Sequence, residues 1–417
     1  MTMRVRTTLA VAMTLAVMGL AGCDHYVCSA TFGDSSCAAS PGGVSPGGGS
    51  GSSNATAYAY HADQAGGVDG YVLDETAGTF LSIASYVAPP VPANLGSVGL
   101  VVAQGKYLYA VFQDLQQIYG WTIGSDGSLT AITGLPLSVS LTIGSPTYSE
   151  DVVITNPAGT LLFISEAGAN DILVYQINSD GTLTLAPGSP FTTTGVEPQN
   201  MGMDGLGRFL YVSEDSGDHS GSFIGAYTVS SAGLLQAIGT FTQPLWEMKG
   251  DPTGQYLIGI SGNVAGLSGT DDPNIYVYNI NSTTGAISAV PNSPFLTLNP
   301  PFQIAVQPAS TSGALIYSFS YNAVNPIEGY QLNTTTGAVA VVAGSPFTGL
   351  SSSAWGQFDP SGNYLFFYNG EGATGGTTTT RSGVNAYVVP STGNLGTIDG
   401  PGVLFSTLGY WAVADVP

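Results

Sequence analysis

Cationic side chains are nearly missing from this chain. Six Lys and Arg stand against 27 Asp and Glu in 417 residues, a formal charge of −21. That balance excludes nucleic acid as a partner, because affinity for a phosphate backbone needs a basic face. It also disfavours phosphorylated or strongly anionic small molecules. Cysteine is equally scarce: Cys23, Cys28 and Cys37 are the only three. Everything after residue 37 is therefore without disulfides or a thiol nucleophile. His219 beside Asp218 has no Ser or Cys partner at a recognisable spacing, so no hydrolase triad can be argued.

What the chain does have is repetition. An apolar stretch ending near Pro or Gly leads into a Gly-aromatic turn, a "LYV"-like strand, a "V-x-x-Y-x-I" strand and a "T-G-x-L" hairpin. The clearest copy is Ala158–Ile164, Ile172–Ile177 and Asp180–Leu183. The anchor glycines Gly105, Gly159, Gly207, Gly254, Gly313 and Gly362 follow one another at 47 to 59 residues. A period near fifty built from four short strands predicts a β-propeller. The first strand copy, Thr56–Tyr60, has no anchor upstream, whereas Trp411–Pro417 matches the apolar stretch that elsewhere precedes one. The fold expected is all-β: seven four-stranded antiparallel blades, closed by pairing the N- and C-terminal strands and so without free sheet edges. An open solenoid or two β-sandwiches are the alternatives.

Within each copy the residue types suit their places. β-Branched and aromatic residues alternate in the strands. Asp126-Gly127, Asp180-Gly181, Thr284-Gly285, Thr336-Gly337 and Thr392-Gly393 have the chemistry of hairpin tips. Three copies share Ser-Pro-Phe, at Ser189–Phe191, Ser293–Phe295 and Ser345–Phe347. A Pro there suits the exit from an outer edge strand, with the Phe packing between blades.

Ahead of the repeats, Arg4 and Arg6 precede an apolar run from Leu9 to Leu20. The run is short for a membrane span and has the layout of a secretory signal. Leu20-Ala21-Gly22-Cys23 resembles the lipobox of bacterial lipoproteins, which implies acylation of Cys23 and a lipid anchor in the cell envelope. An ordinary cleaved signal is the alternative. Residues 24–55 are rich in Gly, Ser and Pro and read as a flexible tether between the signal (1–23) and the propeller (56–417). Cys28 and Cys37 either pair across an eight-residue loop or stay reduced.

Residues 56–417 resemble the lactonase-type seven-bladed propellers, the group of propeller 6-phosphogluconolactonases and carboxymuconate-cyclising enzymes. Gly207–Val212, Val174–Ile177 and the Gly-Ser-Pro-Phe element carry the likeness. The resemblance implies a Gly-Pro-Arg-His run entering an inner strand, with a Glu after the next strand. Here the run reads Glu197-Pro198-Gln199-Asn200, and the Glu corresponds to Glu214. A further family His falls in Ser149–Val152, which contains none. Lactone opening of that type needs a cation for an anionic group and a proton shuttle; Glu214 alone could serve as acid–base.

Counting six residues back from the Pro that ends an inner strand gives Trp246, Phe302 and Trp411. Asp151 and Gln199 occupy the same column, and Trp355 stands in the adjacent one. These positions are expected to ring one mouth of the central channel, beside loops with His61, Asp63, Asp114, Glu166, Glu214, Asp215 and Asn322. Aromatic rings among amides and carboxylates suit a neutral polar small molecule such as a glycan, or a cationic peptide; otherwise they plug the channel as packing. Ser213–His219 and Gly269–Pro273 are oxygen-rich and could hold Ca²⁺, although neither has a spaced loop signature; otherwise no cofactor is expected. Arg208 reads as solvated surface. The expectation is a monomeric, lipid-anchored propeller that binds a neutral or cationic ligand or a cell-envelope partner at the channel mouth. A Glu214-dependent lactone hydrolase and a ligand-free scaffold are the other readings.

Overall fold

The computed structural model describes residues 55–417 apart from 64–66, 75–78, 88–97, 114, 143–151, 217–220, 244, 262–271, 309–312, 321–326, 348–354, 370–381, 398–402, 406–408 and 416–417. The expected signal, Cys23, Cys28, Cys37, Asp114, Asp151 and Asn322 lie outside them, with residues 217–219 and 269–271 of the two candidate Ca²⁺ loops.

Regular structure among the described residues is entirely β, in seven antiparallel sheets. Blade 1 comprises Ala55–Asp63, Gly67–Asp74 and Thr79–Val87, with Gly409–Asp415 paired onto the first of these. The register of that pairing runs from Ala57 opposite Asp415 to Asp63 opposite Gly409. From inner to outer strand, blade 2 is Val98–Ala103, Tyr107–Phe112, Gln117–Ile123 and Leu129–Ala131; blade 3 is Val153–Thr155, Leu161–Glu166, Asp171–Ile177 and Leu183–Leu185. Blade 4 is Met201–Met203, Phe209–Asp215, Ser222–Val229 and Leu235–Phe241; blade 5 is Glu247–Gly250, Tyr256–Ile260, Asn274–Ile280 and Ile287–Ala289. Blade 6 is Gln303–Val306, Leu315–Phe319, Ile327–Leu332 and Val339–Val341; blade 7 is Trp355–Phe358, Tyr364–Asn369, Ser382–Val388 and Gly396–Thr397.

A four-stranded count fits blades 1, 4 and 6. Blades 2, 3, 5 and 7 add a short fifth strand that returns to pair with the third. The Ser-Pro-Phe motif shows how the return is made. The Ser189, Ser293 and Ser345 hydroxyls accept the third-strand N–H of Val174, Val277 and Gly329 at 2.8 to 3.0 Å. The Phe then pairs back onto the same strand, as Phe191 does with Ile172, Phe295 with Ile275 and Phe347 with Ile327. All three rings pack into the apolar layer between two blades.

The core is not central. It is seven separate apolar layers, each shared by neighbouring blades. One example is Leu108, Ala110 and Phe112 against Tyr58, Tyr60 and Val68. Ala57 and Leu73 of blade 1 pack in turn with Tyr364 and Phe366 of blade 7. Polar latches fix the spacing of these layers. The Tyr60, Tyr109, Tyr211 and Tyr317 hydroxyls donate to the carbonyls of Gly127, Gly181, Gly285 and Gly393, each in the hairpin of the next blade, at 2.7 to 2.8 Å. Glycine is required at such a tip: Gly181 has φ of 82°, and a Cβ there would lie 2.7 Å from the Tyr107 ring.

The anchor turns repeat a second device. Asn156 Oδ1 accepts from the N–H groups of Thr160 and Leu161, and Asp251 Oδ1 from those of Gln255 and Tyr256, at 2.7 to 2.9 Å. These side chains close the turn as Asx motifs. Long side chains then tie each turn to the next blade. Gln104 donates to the Gly159 carbonyl (3.0 Å), Arg208 to that of Gly254 (2.8 Å) and Gln307 to that of Gly362 (2.9 Å). Arg208 also holds the buried Asp204 carboxylate at 2.9 Å, so it is a bridge between turns rather than solvated surface.

Candidate functional site

The short inner strands leave a channel where they face one another. A cavity of about 340 Å³ touches the inner strands of six blades, through Leu100, Val153, Lys249, Gln303, Gly356 and Val413. A second, of about 560 Å³, shares Val102, Ile154, Thr155, Lys249, Val306 and Val413 with it. This larger cavity opens among the anchor turns, at Pro157, Pro252, Pro308 and Pro360. The walls mix apolar side chains with polar groups, among them Thr155, Asn156 and Gln303.

One ion pair adjoins them through Lys249. Glu247 and Lys249 are two apart on the inner strand of blade 5 and so point the same way. Lys249 Nζ lies 3.3 Å from Glu247 Oε1. Glu247 Oε2 accepts the Ile304 N–H of blade 6 at 2.8 Å. Gln303, at the matching place in blade 6, takes the Gly356 N–H of blade 7 on its Oε1 at 2.5 Å. Glu247 and Gln303 thus staple successive inner strands. Lys249 is the charged side chain that faces both cavities. Sequence reasoning missed this pair; the signal was polar residues at alternate positions in Trp246-Glu247-Met248-Lys249-Gly250.

The aromatic column is staggered. The N–H groups of Gln199, Trp246 and Phe302 donate to Ser213, Ile260 and Phe319, so these three share one position ahead of their inner strands. Trp246, Phe302 and Gln199 are half-buried there. Trp355 pairs with Tyr368, as Glu247 pairs with Ile260, which puts it one step further in. Trp411 pairs with His61. Because Tyr60 makes the same latch as Tyr109 and Tyr211, that register is two steps beyond Trp246. The count from proline slips in the last strand, because that strand pairs along the long Ala55–Asp63. The side chains of Trp355 and Trp411 lie outside the described residues. His61 is buried, which pushes its imidazole down to about 4.

Glu214 is at the end of the second strand of blade 4, with 1 % of its surface exposed. Its Oε2 accepts the Thr194 hydroxyl and the Gly195 N–H, both at 2.6 Å, and its Oε1 accepts the Tyr227 hydroxyl at 2.5 Å. Burial raises its pKa, and these hydrogen bonds oppose the rise. Gly225 is glycine for the same reason: a Cβ there would stand 2.2 Å from Oε1. The arrangement recurs. Glu328 takes the N–H groups of Leu298 and Asn299, each at 2.9 Å, and the Tyr330 hydroxyl. Glu166 takes the Thr142 N–H at 2.7 Å. In each case a buried carboxylate seats the loop that leads into an inner strand. Asn200 is buried, with its carbonyl accepting the Ser213 N–H. Among the described residues, no three His, Cys, Asp or Glu come together as a metal site.

A ring of seven antiparallel blades around a central channel defines the class: a seven-bladed β-propeller. Residues 68–243 match the family Lactonase, 7-bladed beta-propeller. The chain is a seven-bladed propeller that over those residues is similar to the lactonase type. The 6-phosphogluconolactonase of Yersinia enterocolitica is 29 % identical over 159 residues, 37 % of this chain and 42 % of that protein. The match therefore spans less than half the length of that curated relative. A candidate 6-phosphogluconolactonase from Bacteroides uniformis superposes with a TM-score of 0.60 at 15 % identity, over 87 % of this chain and 100 % of its own. A protein from Lactobacillus plantarum does so with 0.57 at 16 %, over 87 % and 99 %. At such identities the likeness is one of fold.

Proposed function

We propose that this protein is a binding propeller, exported and held to a bacterial membrane by acyl groups on Cys23, that receives a small uncharged molecule in its channel. The cavity of about 560 Å³ carries this reading. Its volume is that of a small-ligand site, and the charge of Lys249 in its wall is offset by Glu247. Gln199 and Asn200 stand where the resemblance implies Arg and His, so an anionic substrate has little to hold it. Glu214 favours binding over catalysis: its Oε2 holds a loop and its Oε1 takes the Tyr227 hydroxyl, and Glu328 likewise serves a loop and a Tyr hydroxyl. A cationic peptide or glycan at the Trp246–Phe302 rim, with the protein as a monomer, is compatible with the same channel.

The test is fluorescence titration with the uncharged reporter N-phenyl-1-naphthylamine, on the protein and on Val306→Phe. That substitution narrows the wall common to both cavities. Saturable binding that the substitution weakens supports the reading; no binding, or binding indifferent to it, removes it. Radiolabelled palmitate incorporation, lost in Cys23→Ala, tests the anchor.

The second reading is lactone hydrolysis, favoured by the family match over 68–243, which includes Glu214. It requires the Thr194–Gly195 loop to leave the carboxylate. Gluconolactone ring opening that disappears in Glu214→Gln would establish it.

A further inference from the structure

We propose that Lys249 makes the channel selective for uncharged, mostly apolar molecules that present a hydrogen-bond acceptor, such as a ketone or ester carbonyl. This deepens the channel-binding reading and rests on it.

The two members of the ion pair are placed differently. Glu247 is the fixed one, its side chain 5 % exposed and its Oε2 tied to the Ile304 N–H at 2.8 Å. The Lys249 side chain is 29 % exposed and lines both cavities. A ligand in the channel therefore meets the Lys249 side chain, with Val102, Ile154, Val306 and Val413 beside it and Thr155, Asn156 and Gln303 as polar company. The other described cations are engaged elsewhere: Lys106 lies over the Tyr107 ring, and Arg208 bridges anchor turns.

Charge decides which acceptor fits. Glu247 already neutralises the ammonium, so a carboxylate ligand would bury one net negative charge in the channel, within a chain of −21. A cation would face the ammonium directly. A plain hydrocarbon fills the space but gives the N–H groups nothing to bond. A carbonyl oxygen accepts from a charged donor and adds no charge, a contact stronger than one between neutral groups.

The experiment is fluorescence titration of the whole protein with three probes of one skeleton: 2-acetonaphthone, 2-ethylnaphthalene and 2-naphthoate. In the wild type the ketone should bind about tenfold more tightly than the hydrocarbon, and the carboxylate most weakly. Lys249→Met is made together with Glu247→Gln, so that no buried carboxylate loses its partner. A Gln at that site keeps the acceptor for Ile304, as Gln303 does for Gly356. In this double variant the ketone preference should fall to about one, and Lys249→Arg should retain it. Thermal melts report that each variant is folded. Equal affinities for ketone and hydrocarbon in the wild type overturn the proposal, as does a preference that survives in the double variant. If none of the three binds, the channel-binding reading fails and takes this proposal with it.

Discussion

The Tyr109 hydroxyl donates to the Gly181 carbonyl of the neighbouring blade, across 72 residues of sequence, at 2.7 Å. The bond is buried, and three other blades make it in the same way. Tyr109→Phe keeps the ring and strands that carbonyl, so it should cost about 1–2 kcal/mol. Tyr211→Phe should cost the same, and the two should add, since they serve different layers. Urea unfolding of both singles and the double checks this. Blade 3 already carries Phe163 at this position, so the fold itself should survive.

Glu214 should behave as a seat for its loop. Glu214→Ala leaves the Thr194 hydroxyl, the Gly195 N–H and the Tyr227 hydroxyl without their acceptor. The loss should be at least about 2 kcal/mol. Glu214→Gln keeps one oxygen acceptor and should lose less. Denaturant midpoints at neutral pH distinguish the two; equal losses would contradict the role.

Glu166 should make stability fall as pH rises. It faces Asp171 across a strand pair. Burial first, then this second carboxyl, push its pKa from 4.5 up to about 7. Below about 4.5 the group is protonated whether the chain is folded or not. Between that and about 7 the folded protein holds a proton that the unfolded chain has released, so stability drains away across this window. Glu166→Gln keeps an acceptor for the Thr142 N–H and removes the titration. Between pH 5 and pH 8 the wild type should lose more stability than the variant, as read by urea midpoints at each pH.

Gly356→Ala should cost about 1–3 kcal/mol by overpacking. A Cβ at that position would lie 1.9 Å from Cζ of Phe319, which is fully buried in blade 6. Gly221, where a Cβ would meet nothing within 4 Å, supplies the control. Its alanine variant should unfold within about 0.5 kcal/mol of the wild type.

The repeat was legible because a turn betrays itself locally. Gly159 and Gly207 were read as turn residues, and both have positive φ. The Ser-Pro-Phe copies also announced their interblade Phe. Long-range partners leave no such trace. Arg208 looks solvated until the Gly254 carbonyl, 46 residues away in sequence, is seen to receive its guanidinium. Glu247 and Lys249 were passed over for the neighbouring Trp246, since their meaning depends on Ile304 and on a channel that seven blades build together. Proline served as a ruler only while strand lengths stayed constant, and Trp411 marks where they do not.

The seam in blade 1 has a mechanical consequence. Ala57 lies opposite Asp415, and Asp63 opposite Gly409, so both ends of the chain leave their common ladder on the same side. Tension drawn between the termini would load those rungs one after another, like a zip, rather than in concert. The toroid should thus open at low force at this single joint, while the remaining sectors, joined by covalent chain, stay shut.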